Sequence, residues 1–176
     1  MQLNWTKVFA LFACLFGSFF LTLWLTAAPS VQPEAPIFRP EVLATLKSTS
    51  NADVLKQLSA AGFRENAEII GHLDEFSNQP NRSVRIAGWA VDQSGSGSGV
   101  SVFVYVDGEP RLTIKTADAR EDVAKALKLP EKLTRKIGFS GTFICETTAQ
   151  TLVLAINVTS GQYLELDQRR CPWASF

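Results

Sequence analysis

From Val8 to Ala28 the chain carries no charged residue. At about 1.5 Å of rise per residue, the stretch VFALFACLFGSFFLTLWLTAA is long enough as a helix to cross a hydrocarbon core of about 30 Å. An uncharged run of that length reads as a membrane span, so the chain divides at once into an N-terminal transmembrane anchor, residues 1–28, and a longer C-terminal part. A cleaved signal peptide is the rival reading. Its apolar region is usually about 7–15 residues long and ends in a small-x-small cleavage site, whereas here Pro29 directly follows Ala28. Trp5 and Trp24 bracket the run at roughly 28 Å along a helix, the spacing of aromatic residues at two membrane interfaces. Lys7 is the nearest charge on one side and Glu34 the first on the other. The positive-inside rule then places the N-terminus in the cytoplasm and the rest outside it. LFAC at 11–14 resembles a lipoprotein box, but the residues after Cys14 stay apolar where a processed lipoprotein turns polar, so lipidation is not expected there.

The expected span has two unlike sides. At 100° per residue, Ala10, Ala13, Cys14, Gly17 and Ser18 gather on one, and Phe9, Phe12, Phe16, Phe19 and Phe20 on the other. Small residues at i and i+4 let helix backbones approach closely in lipid, which makes the first set a candidate packing seam for an integral membrane partner or for a second copy. Small residues are also common in spanning helices that pair with nothing.

Seventeen basic and seventeen acidic side chains cancel, with no long run of either sign. The basic footprint that nucleic-acid binding requires is missing, and that partner class is set aside. Of the three cysteines, only Cys145 and Cys171 lie outside the apolar run. They are expected to form a disulfide in an oxidising compartment, the alternative being two buried thiols. Their spacing is not that of paired CxxC zinc ligands, and no metal or cofactor is expected.

Residues 29–68 form the second region. Pro29, Pro33, Pro36 and Pro40 mark an extended linker. PEVLATLKS and NADVLKQLSAAGF then read as two short helices, the second with Asn51 as N-cap, with Val54, Leu55, Leu58 and Phe63 as its apolar stripe and with Gly62 at its end.

From Ile69 onward, residues 69–176, short β-rich runs alternate with turn signals. Seven strands are expected: IIGHLDEF, SVRIAGWAV, VSVFVYV, RLTIKT, GFSGTFIC, TLVLAINV and QYLEL. Asp107-Gly108 and Ser160-Gly161 are the turn pairs of two hairpins. Between the fourth and fifth strands, DAREDVAKALKL predicts one inserted helix, with Asp118 and Glu121 at capping-box spacing. The fold expected is mainly β: a seven-stranded immunoglobulin-like sandwich behind one transmembrane helix and two short helices.

The ordered series Gly88-Trp89-Ala90-Val91-Asp92, Val106-Asp107-Gly108, Arg120-Glu121-Asp122-Val123 and Gly138-Phe139 resembles an immunoglobulin-like β-sandwich module of bacterial surface-associated and polysaccharide-related proteins, over roughly residues 69–167. The resemblance implies a fold and a compartment. Its motifs are turns and core positions and carry no reaction.

No catalytic set is legible. His72 is the one histidine, beside Asp74 on the same strand face, and no serine or cysteine is marked as a nucleophile by its surroundings. Asp74 and Glu75 are adjacent and point to opposite faces, the wrong arrangement for an acid/base pair on one glycosidic bond. DQSGSGSG lacks the lysine and helix of a phosphate-binding loop. Asp92 and Asp107 could ligate calcium, but the EF-hand spacing is absent and a turn role explains both. The most usable binding signal is aromatic: Phe103 and Tyr105 share the strand face opposite Val102, Val104 and Val106, and Trp89 of the preceding strand could join them. Exposed, they would form a platform for a glycan or a protein; covered by a helix, they would form a second small core.

These features predict a non-enzymatic accessory or scaffold subunit, single-pass in a bacterial inner membrane, with its C-terminal domain in the periplasm. The alternative is a membrane-anchored carbohydrate-binding module at the cell envelope.

Overall fold

The computed structural model describes residues 43, 46–65, 67–94, 99–134, 136–146 and 148–172. They all belong to one compact unit, Pro36–Phe176. The apolar run with its small-residue seam and most of the first short helix lie outside the described residues. Among the described residues no helix is long and apolar enough to cross a membrane.

The unit is mainly β. Helix α1 (Asn51–Ala60) leads into β1 (Arg64–Glu65), β2 (Ile69–Gln79), β3 (Ser83–Asp92), β4 (Ser101–Val106) and β5 (Glu109–Lys115). Two short helices come next, α2 (Glu121–Ala126) and α3 (Glu131–Thr134), and then β6 (Gly138–Ile144), β7 (Gln150–Asn157) and β8 (Gln162–Arg170). The strands form two sheets, a larger one in the order β1-β8-β7-β4-β5 and a smaller one in the order β2-β3-β6. All pairs are antiparallel except β1 with β8.

All seven expected strands are present, together with an unexpected eighth. Strand β1 pairs only Arg64 with Gln162 and Glu65 with Tyr163, too short a run for alternation to register in sequence. The single inserted helix is in fact two. Its capping box does not form: Arg120 is the cap residue of α2 and makes no side-chain cap bond, while Asp118 is held in a backbone bridge to Gly138.

Alternation within the strands builds the sandwich. Val102, Val104 and Val106 of β4 and Val153 and Ala155 of β7 face Val84, Ile86 and Ala90 of β3 and Phe139 and Phe143 of β6 in one buried core. The larger sheet is also apolar on its other face. There Phe103, Tyr105, Leu152, Leu154 and Ile156 bury against Leu43, Val54, Leu58 and Phe63. The i, i+4 pair Val54 and Leu58 of α1 is fully buried there, so this helix is part of the folded unit and forms a third layer. A smaller cluster of Val91, Val123 and Ile137, with Trp89, Ile70, Leu129 and Leu133 packed on it, seats α2 and α3 on one end of the smaller sheet.

The ends of α1 follow from local chemistry. Its N-cap is Ser50 and not Asn51: the Ser50 hydroxyl accepts the Asp53 N–H at 3.2 Å, while Asn51 turns inward. At the other end Gly62 takes φ +90. The Gly62 N–H then donates to Ser59 and the Phe63 N–H to Leu58, each at 3.0 Å, a Schellman arrangement that sets Phe63 into the core.

Candidate functional site

Of the two readings of the aromatic face, the structure has the covered one at Phe103 and Tyr105, and Trp89 does not join them. Phe103 and Tyr105 are 1% and 0% exposed, covered by α1 and Leu43, and the Tyr105 hydroxyl donates to the Leu43 carbonyl at 2.9 Å. Burial pushes the Tyr105 phenol up to about 12. Trp89 stands on the other sheet, half-buried against the α2–α3 cluster, because β3 pairs with β2 and β6 and not with β4. Two large apolar faces on one sheet cannot both meet water, and α1 supplies the cover.

His72 is exposed on β2 directly opposite Trp89. One residue further on, β2 shifts register between Leu73 and Glu75, and Asp74 at that bulge meets Arg120 at 2.6 Å. Arg120 also holds Asp122 at 2.7 Å. Its hydrogen bonds to Asp122 and Asp74 raise the guanidinium further above its ordinary range, and the Arg120 bond is the main cause that holds Asp122 down to about 2. Glu75 pairs with Arg85 across to β3 at 3.3 Å. The carboxylates closest to His72 in sequence are thus each engaged by an arginine. Arg120 acts as a clip that pins the start of α2 to the bulge of β2.

A concavity lies at the end of the sandwich opposite the β4–β5 hairpin. Asp92 ends β3, Val100 and Ser101 open β4, Lys115 and Thr116 close β5, and Leu133, Lys136 and Ile137 approach from the α3 side, around a cleft of about 530 Å³. Its polar floor is structural. Asp92 accepts from Asn157, at the end of β7 in the other sheet, and from the Ser94 N–H at 2.8 Å. The Asn157 side-chain oxygen in turn accepts the Thr159 N–H at 2.9 Å and the Ser160 N–H at 3.3 Å, shaping the turn into β8. Asp92 and Asn157 are 5% and 0% exposed, a polar pair that ties the two sheets together. Sequence marks Asp92 as a turn residue and Asn157 as a residue of the strand TLVLAINV. Their pairing joins strands distant in the chain and leaves no local signal.

Asp107 has the turn role expected of it. It and Gly108 adopt φ +48 and +81 in the β4–β5 turn, and the Asp107 carboxylate accepts the Gln150 N–H at 2.8 Å. Among the described residues no group of three or more metal-ligating side chains comes together. Cys145 and Cys171 form a disulfide with Cα atoms 6.1 Å apart, linking the end of β6 in one sheet to the end of β8 in the other. Ala10, Ala13, Cys14, Gly17 and Ser18 lie outside the described residues. No protein-family model, curated protein or solved structure matches the chain.

Proposed function

We propose that this chain is a non-enzymatic, single-pass accessory or scaffold subunit of a bacterial membrane complex, its immunoglobulin-like sandwich meeting the partner on the periplasmic side. The observation that carries this reading is the conjunction of the uncharged run Val8–Ala28 with a disulfide-clamped β unit downstream of it. A span leading into a domain stapled through Cys145 and Cys171 is the build of an anchored domain in an oxidising compartment. The engagement of Asp74, Glu75 and Asp122 by arginines supports a non-enzymatic role, since the charges around His72 serve to hold the fold. The carbohydrate-binding alternative relies on Trp89, Phe103 and Tyr105 acting as one platform, and two of these are buried beneath α1. The resemblance to surface-associated sandwich modules agrees in compartment, with β1 and α1 as additions to the seven-stranded plan.

The test is extraction of the tagged chain from native membranes in mild detergent, with mass spectrometry of the proteins that travel with it. A stoichiometric membrane protein that is lost when Ala13 and Gly17 are replaced by leucine is the expected result. A chain that travels with no other protein overturns the reading.

A further inference from the structure

Two sheets present four outer strands, and folded proteins blunt such edges with charge, proline, bulges or cover. Three of the four are blunted here. β2 has its register shift and Asp74 and Glu75. β5 carries Pro110, Arg111 and Lys115. The two-residue β1 leaves most of β8 as the edge of the larger sheet, and β8 carries Glu165, Asp167, Arg169 and Arg170. β6 has no charge, proline or bulge: its sequence is GFSGTFI, and it pairs with β3 along its whole length without a register shift.

The hydrogen bonds at its two ends fix which way its backbone groups point. The Ala90 N–H donates to the Ile137 carbonyl at 2.8 Å, and the Cys145 N–H donates to the Arg82 carbonyl at 3.0 Å. In an antiparallel ladder that phase turns the odd positions, Phe139, Gly141 and Phe143, toward β3 and the even positions away from it. Gly138, the first even position, is already taken: its N–H donates to the Asp118 carbonyl at 2.8 Å, and the Asp118 N–H donates to the Gly138 carbonyl at 3.1 Å. Ser140, Thr142 and Ile144 come next. Their N–H and C=O groups face outward, no described strand pairs with them on that side, and their side chains are exposed, Ile144 by 66%.

We propose that this edge is a self-pairing surface, on which a second copy of the chain lays its own β6 antiparallel to the first. The phase suits that occupant. With Thr142 on a two-fold axis, Ser140 meets Ile144 of the copy, Thr142 meets itself and Ile144 meets Ser140, and all of these are outward-bonding positions. Each of the three residues donates one backbone hydrogen bond and accepts one. A threonine faces a threonine, a favourable cross-strand pair, and no like charges meet because the strand has none. The arrangement is isologous and closes at two copies. Asp118, seated at Gly138, marks where the pairing stops.

This proposal does not depend on the accessory-subunit reading, because the copy number is read from mass and a partner from co-purification. The test is the molar mass of the full chain, purified in mild detergent, by light scattering over a dilution series. Thr142→Pro removes an outward N–H from each copy while leaving every bond to β3 in place. Thr142→Lys sets two ammonium groups side by side on the axis. The expected result is a dimer that each variant weakens by at least about tenfold, with an unchanged unfolding midpoint, and that Gly17→Leu leaves intact. A monomer at every concentration overturns the proposal. So does a dimer that survives both Thr142 variants and is lost in Gly17→Leu, and so does a different protein whose co-purification Thr142→Lys abolishes.

Discussion

Asn51 and Gly108 are joined by a 3.0 Å hydrogen bond in which the glycine N–H donates to the side-chain oxygen of the asparagine. The asparagine nitrogen donates onward to the Gln150 carbonyl at 3.1 Å, so one buried amide fastens α1 to the β4–β5 turn and to the start of β7. The fit is close. A Cβ on Gly108 would lie 2.5 Å from the Ser48 carbonyl oxygen, at a φ of +81 that side chains other than glycine rarely adopt.

Replacing Asn51 by alanine leaves the buried Gly108 N–H without its partner, while the Gln150 carbonyl keeps the Asp107 N–H. The expected cost is about 1–3 kcal/mol, measured as a fall in urea midpoint at unchanged slope. Asn51→Ser shortens the side chain and recovers little of it. A loss below about 0.5 kcal/mol, the range of ordinary surface changes, would mean that α1 is not fastened there.

Tyr105 sets an alkaline limit on stability. Its phenol is raised to about 12 by burial, above its ordinary 10, so the neutral form is the one the fold favours. Stability from this group is therefore fully present below pH 10 and is lost as pH rises from 10 through about 12, a change on the order of 2 kcal/mol. Tyr105→Phe should abolish that alkaline slope. It should also cost about 1 kcal/mol at pH 7 through the lost bond to Leu43. Equilibrium unfolding at pH 8 and pH 11 separates the two effects.

The clip at Arg120 predicts an acid-side effect. Asp122 is depressed to about 2 chiefly by its hydrogen bond to Arg120, so its contribution is present above the ordinary carboxylate range and is lost as pH falls toward 2. In Arg120→Gln the Asp122 titration, followed by NMR, should return toward about 4. Amide exchange across residues 121–134 should quicken, while β4 and β7 keep their protection. An Asp122 midpoint unmoved by the change would remove the clip from the account of how α2 is held.

The elements set by local rules are legible in sequence and those set by long-range pairing are not. β-rich runs between turn signals mark each of the seven long strands, and Asp107-Gly108 marks its hairpin, because composition and turn chemistry are properties of neighbouring residues. β1 leaves no such mark because two residues make no run. Asn51 suits an N-cap by type and position; Ser50 takes that role, since the Asn51 amide has distant partners in Gly108 and Gln150. The alternating pattern of β4 places Phe103 and Tyr105 on one face correctly. Whether that face is open depends on where α1 docks and on sheet order, which puts Trp89 in a different layer. The Asp92–Asn157 pair and the uncharged edge of β6 belong to the same class: each exists only once the topology has chosen neighbours.

The disulfide gives the most direct check on compartment and fold together. Cys145 and Cys171, separated by 26 residues, lie directly after two strands in different sheets and link them where no backbone hydrogen bond connects β6 to β8. Loop-closure entropy for a separation of that size predicts a stabilisation of about 3 kcal/mol. The double replacement Cys145→Ala and Cys171→Ala should lower stability by that amount in urea without altering the sheet signature in circular dichroism. In the unmodified chain, unfolded without reductant, thiol titration should find Cys14 alone among the three cysteines. Three reactive thiols in freshly extracted protein would show that the pair is reduced where the protein resides. That result would remove the oxidising compartment on which the periplasmic placement rests.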